Sequence, residues 1–207
     1  MSEKKIIEKK WLSLIKTETQ KSNWKFKQYF IFKIDGDFLF SSRFWVNGKT
    51  NSLTGVLSFK HKDIDELFWE LTDNSNLVSY PLSLRIEGSH IVFPISYFNY
   101  SLVDITEKDI LILLQSINDK VDEIKELYTD QEKYYSYIQE EKRFNEYGYL
   151  TNLLYLKKYK ELLSFMDHCK ENNIVSGISF YKGDVLESTY FDRINSYINK
   201  NNLLDKK

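Results

Sequence analysis

The sequence predicts an α+β fold: an N-terminal helix, an antiparallel β-meander with hairpins, then a mainly helical C-terminal half with a short terminal β-hairpin and helix. Three observations carry this expectation. Apolar residues recur at helical spacing in the first twenty positions. From Trp24 the period drops to two, with Asp35-Gly36 and Asn47-Gly48 between the apolar runs as hairpin dipeptides. Beyond Thr106 the spacing returns to steps of three and four.

Taken in order, Ile7, Trp11, Leu14 and Ile15 place a first amphipathic helix over about 3–20. Trp24, Phe26, Phe30, Phe32 and Ile34 share one parity, which reads as one long strand with its apolar face on the core. Phe38, Phe40, Phe44 and Val46 form its hairpin partner, and a third strand follows near Leu53–Phe59. Asp63-Ile-Asp-Glu66 has the form of a capping box ahead of a short helix at about 64–73. Leu82, Leu84 and Ile86 alternate, Glu87-Gly88-Ser89 turns, and Ile91, Phe93 and Ile95 alternate back. Pro81 and Pro94 lack a donor N–H and favour edge or terminal positions there.

Thr106 with Asp109 caps a long helix whose apolar residues fall at 110, 114, 117, 121, 124 and 128. Thr129-Asp-Gln-Glu132 predicts a break, then a Tyr-rich continuation to about Asn145, and Tyr147-Gly148 reads as a stop. A helix over about 150–170, a strand at 174–181, a Lys182-Gly183 turn and a last helix through Tyr190, Ile194 and Ile198 complete the chain. The change of character near Thr106 divides it into 1–105, helix plus sheet, and 106–207, mainly helical, two parts that form either separate domains or one domain with the second packed on the sheet.

A chain of 207 residues buries roughly 70% of the surface its unfolded form exposes, so it needs neither disulfide nor metal to hold a core. Cys169 is the single cysteine, which leaves no intramolecular disulfide and fits a reducing compartment. The N-terminal apolar stretches are broken by charge, and Ile110–Leu114 is the longest uncharged apolar run, so the expectation is a cytoplasmic protein with no membrane partner. Alanine is absent and Arg is scarce against many Lys, Asn, Ile, Tyr and Phe; an AT-rich, bacterial or viral genome accounts for this without selection on function.

The residues that carry catalysis elsewhere are scattered here. His61, His90 and His168 form no metal-gathering spacing, the glycines are isolated and turn-like, and His168-Cys169 neighbours point about 100° apart on a helix. Glu123-Ile-Lys125 has the Glu-x-Lys form of metal-dependent nucleases but falls on a helix instead of a sheet. The reading is therefore weighted against an enzyme, with no catalytic residues, no cofactor and no metal.

Charge is segregated along the chain. Residues 1–62 carry 13 Lys/Arg against 5 Asp/Glu, residues 63–146 carry 7 against 18, and residues 147–207 carry 9 against 7. The acidic block centres on the long helix, where Asp119, Asp122, Glu123, Glu126 and Asp130 lead to Tyr134, Tyr135 and Tyr137. Carboxylates steer a basic partner and tyrosines supply contact area at low entropic cost. In class and build this resembles the immunity proteins that neutralise bacterial toxins, a resemblance of size, charge and fold class with no shared motif. It implies inhibition of a basic toxin partner through the acidic helical face. The alternative is a nucleic-acid binder using Lys25, Lys27, Tyr29, Lys33, Arg43 and Trp45 on the open face of the N-terminal sheet to track phosphates and stack bases. A homodimer joined along the 110–128 seam is compatible with either reading, although burial of that seam within the chain is the simpler expectation.

Overall fold

The computed structural model describes residues 3–47, 49–81, 85, 93–101, 105–141, 146–172, 179–182 and 184–204. Helix α1 (Glu3–Gln20) leads into strands β1 (Lys25–Lys27), β2 (Phe30–Asp35), β3 (Phe38–Asn47) and β4 (Ser52–His61), then helix α2 (Lys62–Leu71) and a 3₁₀ turn at Ser75–Ser79. Strand β5 (Phe93–Ser101) follows, and helices α3 (Glu107–Thr129), α4 (Gln131–Glu141), α5 (Glu146–Tyr155) and α6 (Tyr159–Glu171) make the second half. The hairpin β6 (Ser179–Lys182) and β7 (Val185–Thr189) and helix α7 (Tyr190–Lys200) end it. The fold is α+β, with an antiparallel sheet in the order β1-β2-β3-β4-β5.

The long first strand is in fact two. Gln28, at φ 54, and Tyr29 turn the chain, so that Lys25 pairs with Phe32 and Lys27 with Phe30. Because side chains alternate along a strand, a turn inside the run moves every later residue to the other face. Ile31, Phe40, Phe44, Leu53, Leu57 and Phe59 consequently face the helices, whereas Phe30, Phe32 and Leu39 form a separate small cluster on the opposite face. Lys33 goes with Ile31 to the helix side, where it is buried and its Nζ sits 3.2 Å from Asp35 Oδ2. The residue order of β3 is as expected: Phe38, Phe40, Phe44 and Val46 point inward, and Arg43 and Trp45 outward.

Helix α3 lies across the inner face. The Trp24 indole N–H donates to Asn118 Oδ1 at 2.9 Å, the Phe38 and Tyr128 rings meet edge-on, and Lys125 Nζ is 3.0 Å from Asp35 Oδ1. Of the predicted seam, Ile110, Leu114, Ile117, Val121 and Ile124 are buried in one hydrophobic cluster and Tyr128 is partly buried against it. That cluster runs from Trp11 to Ile198 and so joins side chains of both halves.

Helix ends follow local chemistry with small shifts. Thr106 and Asp109 form the reciprocal capping box on α3, and Thr189 with Asp192 forms an unforeseen second one on α7. Asp130, and not Thr129, caps α4, its Oδ1 accepting from the N–H groups of Glu132 and Lys133 at 3.1 Å each. Strand β4 runs straight into α2, so His61 is the cap there: its Nδ1 accepts from the Asp63 N–H at 3.3 Å. Tyr147 and Gly148 lie inside α5 instead of stopping a helix, and the break falls at 156–158, where Lys157 takes φ 59. Apart from Arg85, the expected strand at Leu82–Ile86 and its turn lie outside the described residues, as do 142–145 and 173–178.

Candidate functional site

Exposed carboxylates gather in two places, a ridge and a cleft. On the ridge, the outer side of α3 exposes Asp119, Asp122, Glu123 and Glu126, and Asp130 continues it into the α3–α4 junction. A helix whose positions 110, 114, 117, 121 and 124 are buried must turn the positions between them outward. Lys120 pairs with Glu123 at 2.5 Å and Lys133 with Asp130 at 3.7 Å, while Asp122 and Glu126 have no ion-pair partner among the described residues.

The three tyrosines separate. Tyr134 is 2% exposed and belongs to the core, its hydroxyl donating to Asn152 Oδ1 at 2.7 Å. Burial holds that hydroxyl far above its ordinary pKa. Tyr134 is therefore unavailable to a partner; its spacing of ten from Ile124, along a chain that breaks at Asp130, carries it inward. Tyr137 is half-buried against Phe59. Tyr135 is likewise half-buried, and the Lys158 ammonium lies 4.3 Å from its ring centre and also bonds Glu132 Oε1 at 3.0 Å.

Lys158 links the ridge to the cleft, a cavity of about 730 Å³ between α2, the 3₁₀ turn, the α5–α6 break and α7. Asp63, Glu66 and Glu70 lie on one stripe of α2 because they are spaced by three and four residues. Facing them are Tyr155, Tyr159 and Tyr197, with Leu67, Leu154 and Leu203 as apolar floor and Lys157 at the rim. Tyr155 Oη reaches Asp63 Oδ2 at 3.5 Å. Burial first, then the Glu70 carboxylate, holds the Tyr197 hydroxyl above its usual value.

Behind the cleft, α2 is held by a buried ionic cluster. Asp65, fully buried, accepts Lys60 Nζ on Oδ1 at 2.8 Å and Arg85 Nε on Oδ2 at 2.8 Å. The Lys60 ammonium also donates to the Arg85 carbonyl, and Arg85 Nη1 to the Val78 carbonyl at 3.1 Å. Burial lowers the Lys60 pKa, and the Asp65 charge opposes that shift. Sequence reasoning passed over this cluster, because Arg85 stands twenty residues from Asp65 in the chain.

The basic platform is only partly assembled. Lys25, Lys27, Arg43 and Trp45 occupy the outer side of the sheet, with Tyr29 in the β1–β2 turn, but Lys33 is on the other face. Tyr29, Arg43 and Trp45 line a groove of about 470 Å³, and Glu8 of α1 lines it too. A carboxylate at that point opposes a phosphate.

Neither Cys169 nor His168 belongs to a reactive pair among the described residues, and His90 lies outside them. Cys169 is buried, and burial, then the Glu146 charge, raises its thiol pKa, the opposite of what a nucleophile needs. His168 faces outward, where its Nδ1 is 3.1 Å from Asn172 Nδ2. Among the described residues there is no group of three or more His, Cys, Asp or Glu placed to hold a metal ion. Nor is any described helix long and apolar enough to cross a membrane. No protein-family model, curated protein or solved structure matches the chain.

Proposed function

We propose that this protein is a non-enzymatic binding module that holds a basic partner protein against its acidic helical face, as a bacterial immunity protein covers a toxin. The observation that carries the reading is the row of exposed carboxylates on the outer side of α3, from Asp119 through Asp122, Glu123 and Glu126 to Asp130. Lysines answer only some of them: Lys120 and Lys133 pair at the surface, and such exposed pairs contribute little. A field of one sign on one side raises the encounter rate with an oppositely charged protein and repels acidic ones.

The experiment is an affinity pull-down from the native host with the intact chain, followed by a salt titration of the captured complex. The expected result is one basic partner whose retention falls as ionic strength rises. Simultaneous reversal at Asp122, Glu123 and Glu126 to lysine should abolish retention. Undiminished capture by that variant would remove the ridge from the interface. The nucleic-acid reading rests on half-exposed Tyr29 and Trp45 beside Arg43. It requires a steep fall in single-stranded DNA affinity with salt, and a flat low-salt titration would end it.

A further inference from the structure

We infer that the cleft beside α2 receives one arginine side chain of the basic partner, an inference that rests on the binding reading above. Three carboxylates, Asp63, Glu66 and Glu70, form one wall, and a single cation, Lys157, stands at the rim among the lining residues. Glu70 has no ion-pair partner among the described residues, and the Asp63 carboxylate meets only the edge of His61 and a long contact from Tyr155. The excess of carboxylates over cations along the lining favours a cationic occupant.

The aromatic wall selects among cations. Tyr155, Tyr159 and Tyr197 line the cleft, and a planar guanidinium stacks on aromatic rings while its fork can reach two carboxylates at once. A lysine ammonium is a compact, strongly hydrated point charge and gains less from the same walls. The same helix already seats a guanidinium on its buried side: Arg85 Nη2 lies 2.6 Å from Asp65 Oδ2 and 3.7 Å from Glu66 Oε1. The cleft presents the outer carboxylates of the same helix, Asp63, Glu66 and Glu70, with Lys157 the one cation among the described residues that line it.

The test uses the full chain, ¹⁵N-labelled, titrated with N-acetyl-arginine amide, N-acetyl-lysine amide and N-acetyl-norleucine amide. The arginine probe should give saturable shifts at the amides of Tyr155, Tyr159 and Tyr197, the lysine probe a several-fold weaker response, and norleucine none. Glu70→Gln, on an exposed side chain, should weaken the arginine response about tenfold with the rest of the spectrum unchanged. A linear response to arginine, an equal response to lysine or norleucine, or full binding by the Glu70→Gln protein overturns the inference. Asp122→Asn with Glu126→Asn serves as the separate arm, since it should leave the amide titration intact while weakening capture of the partner. Loss of the cleft response with salt-sensitive capture intact refutes the arginine site alone; the reverse refutes the ridge alone.

Discussion

Asp65→Asn should be among the most destabilising conservative substitutions in this protein. The amide keeps the shape of the carboxylate but removes the one negative charge among the described residues in direct contact with both Lys60 and Arg85, whose side chains are 2% and 4% exposed. Two cations would then share a dry site with Glu66 as the nearest carboxylate, 3.7 Å from Arg85 Nη2 and itself partly solvated. Removing one partner of a buried pair costs roughly 3–5 kcal/mol, a large share of the roughly 5–15 kcal/mol that holds a typical domain. For a chain of this length that corresponds to a fall in Tm of roughly 6–20 °C.

Urea unfolding followed by circular dichroism would read the loss as a shift in midpoint at unchanged slope. The pH dependence identifies the cause. Burial already lowers the Lys60 pKa in the folded state, and Asp65 is what opposes the shift. Without Asp65 the folded-state value drops further, so the folded protein favours neutral lysine more strongly. The unfolded chain binds the proton more readily below the ordinary lysine pKa, and the deficit must shrink as pH rises towards that value. Replacing Lys60, Asp65 and Arg85 together by Met, Leu and Met should recover most of the loss. A deficit below about 1 kcal/mol, or one independent of pH, would refute the account of a buried, mutually compensating cluster.

Two further expectations concern the sheet and its junction with α2. His61 caps α2 only while its Nδ1 is unprotonated, and burial lowers its pKa, so its contribution is present above about pH 6.5 and is lost as pH falls through the lower folded-state value. His61→Asn, which can cap but not titrate, should flatten the pH dependence of the urea midpoint in that window. Gly55 sits opposite Phe44 in the β3–β4 ladder, and a Cβ there would stand 2.8 Å from Phe44 Cδ1. Gly55→Ala should therefore cost about 1–3 kcal/mol, measured as a drop in Tm, with Phe44→Leu in the same chain restoring part of it.

Much of the fold was legible because its signals are local. The apolar spacing of α1 and α3, the Thr106–Asp109 box and the Asp35-Gly36 turn each depend on residues within a few positions of one another. The ridge was legible for the same reason: once Ile110, Leu114 and Ile117 are buried, Asp119, Asp122 and Glu123 have to face out. The β1–β2 turn was not, since Gln28-Tyr29 contains no glycine and a left-handed glutamine leaves no mark in the sequence. That one turn misassigned Lys33 and the Phe30–Phe32 pair. The cleft was half legible. Its α2 carboxylates follow helical spacing, but Tyr155, which faces them, is 92 residues from Asp63.

The sequence by itself determined the class of fold, the kinds of element and their order, and the separation of basic from acidic segments, because period, capping and turn chemistry act over neighbouring residues. Only the tertiary structure decided which face of each strand meets the helices. It also decided that Tyr134 is a core residue, that Arg85 closes on Asp65, and that three carboxylates of α2 face three tyrosines across a cavity. Those outcomes depend on where distant segments pack, and packing is settled by the whole buried surface rather than by any one stretch of chain.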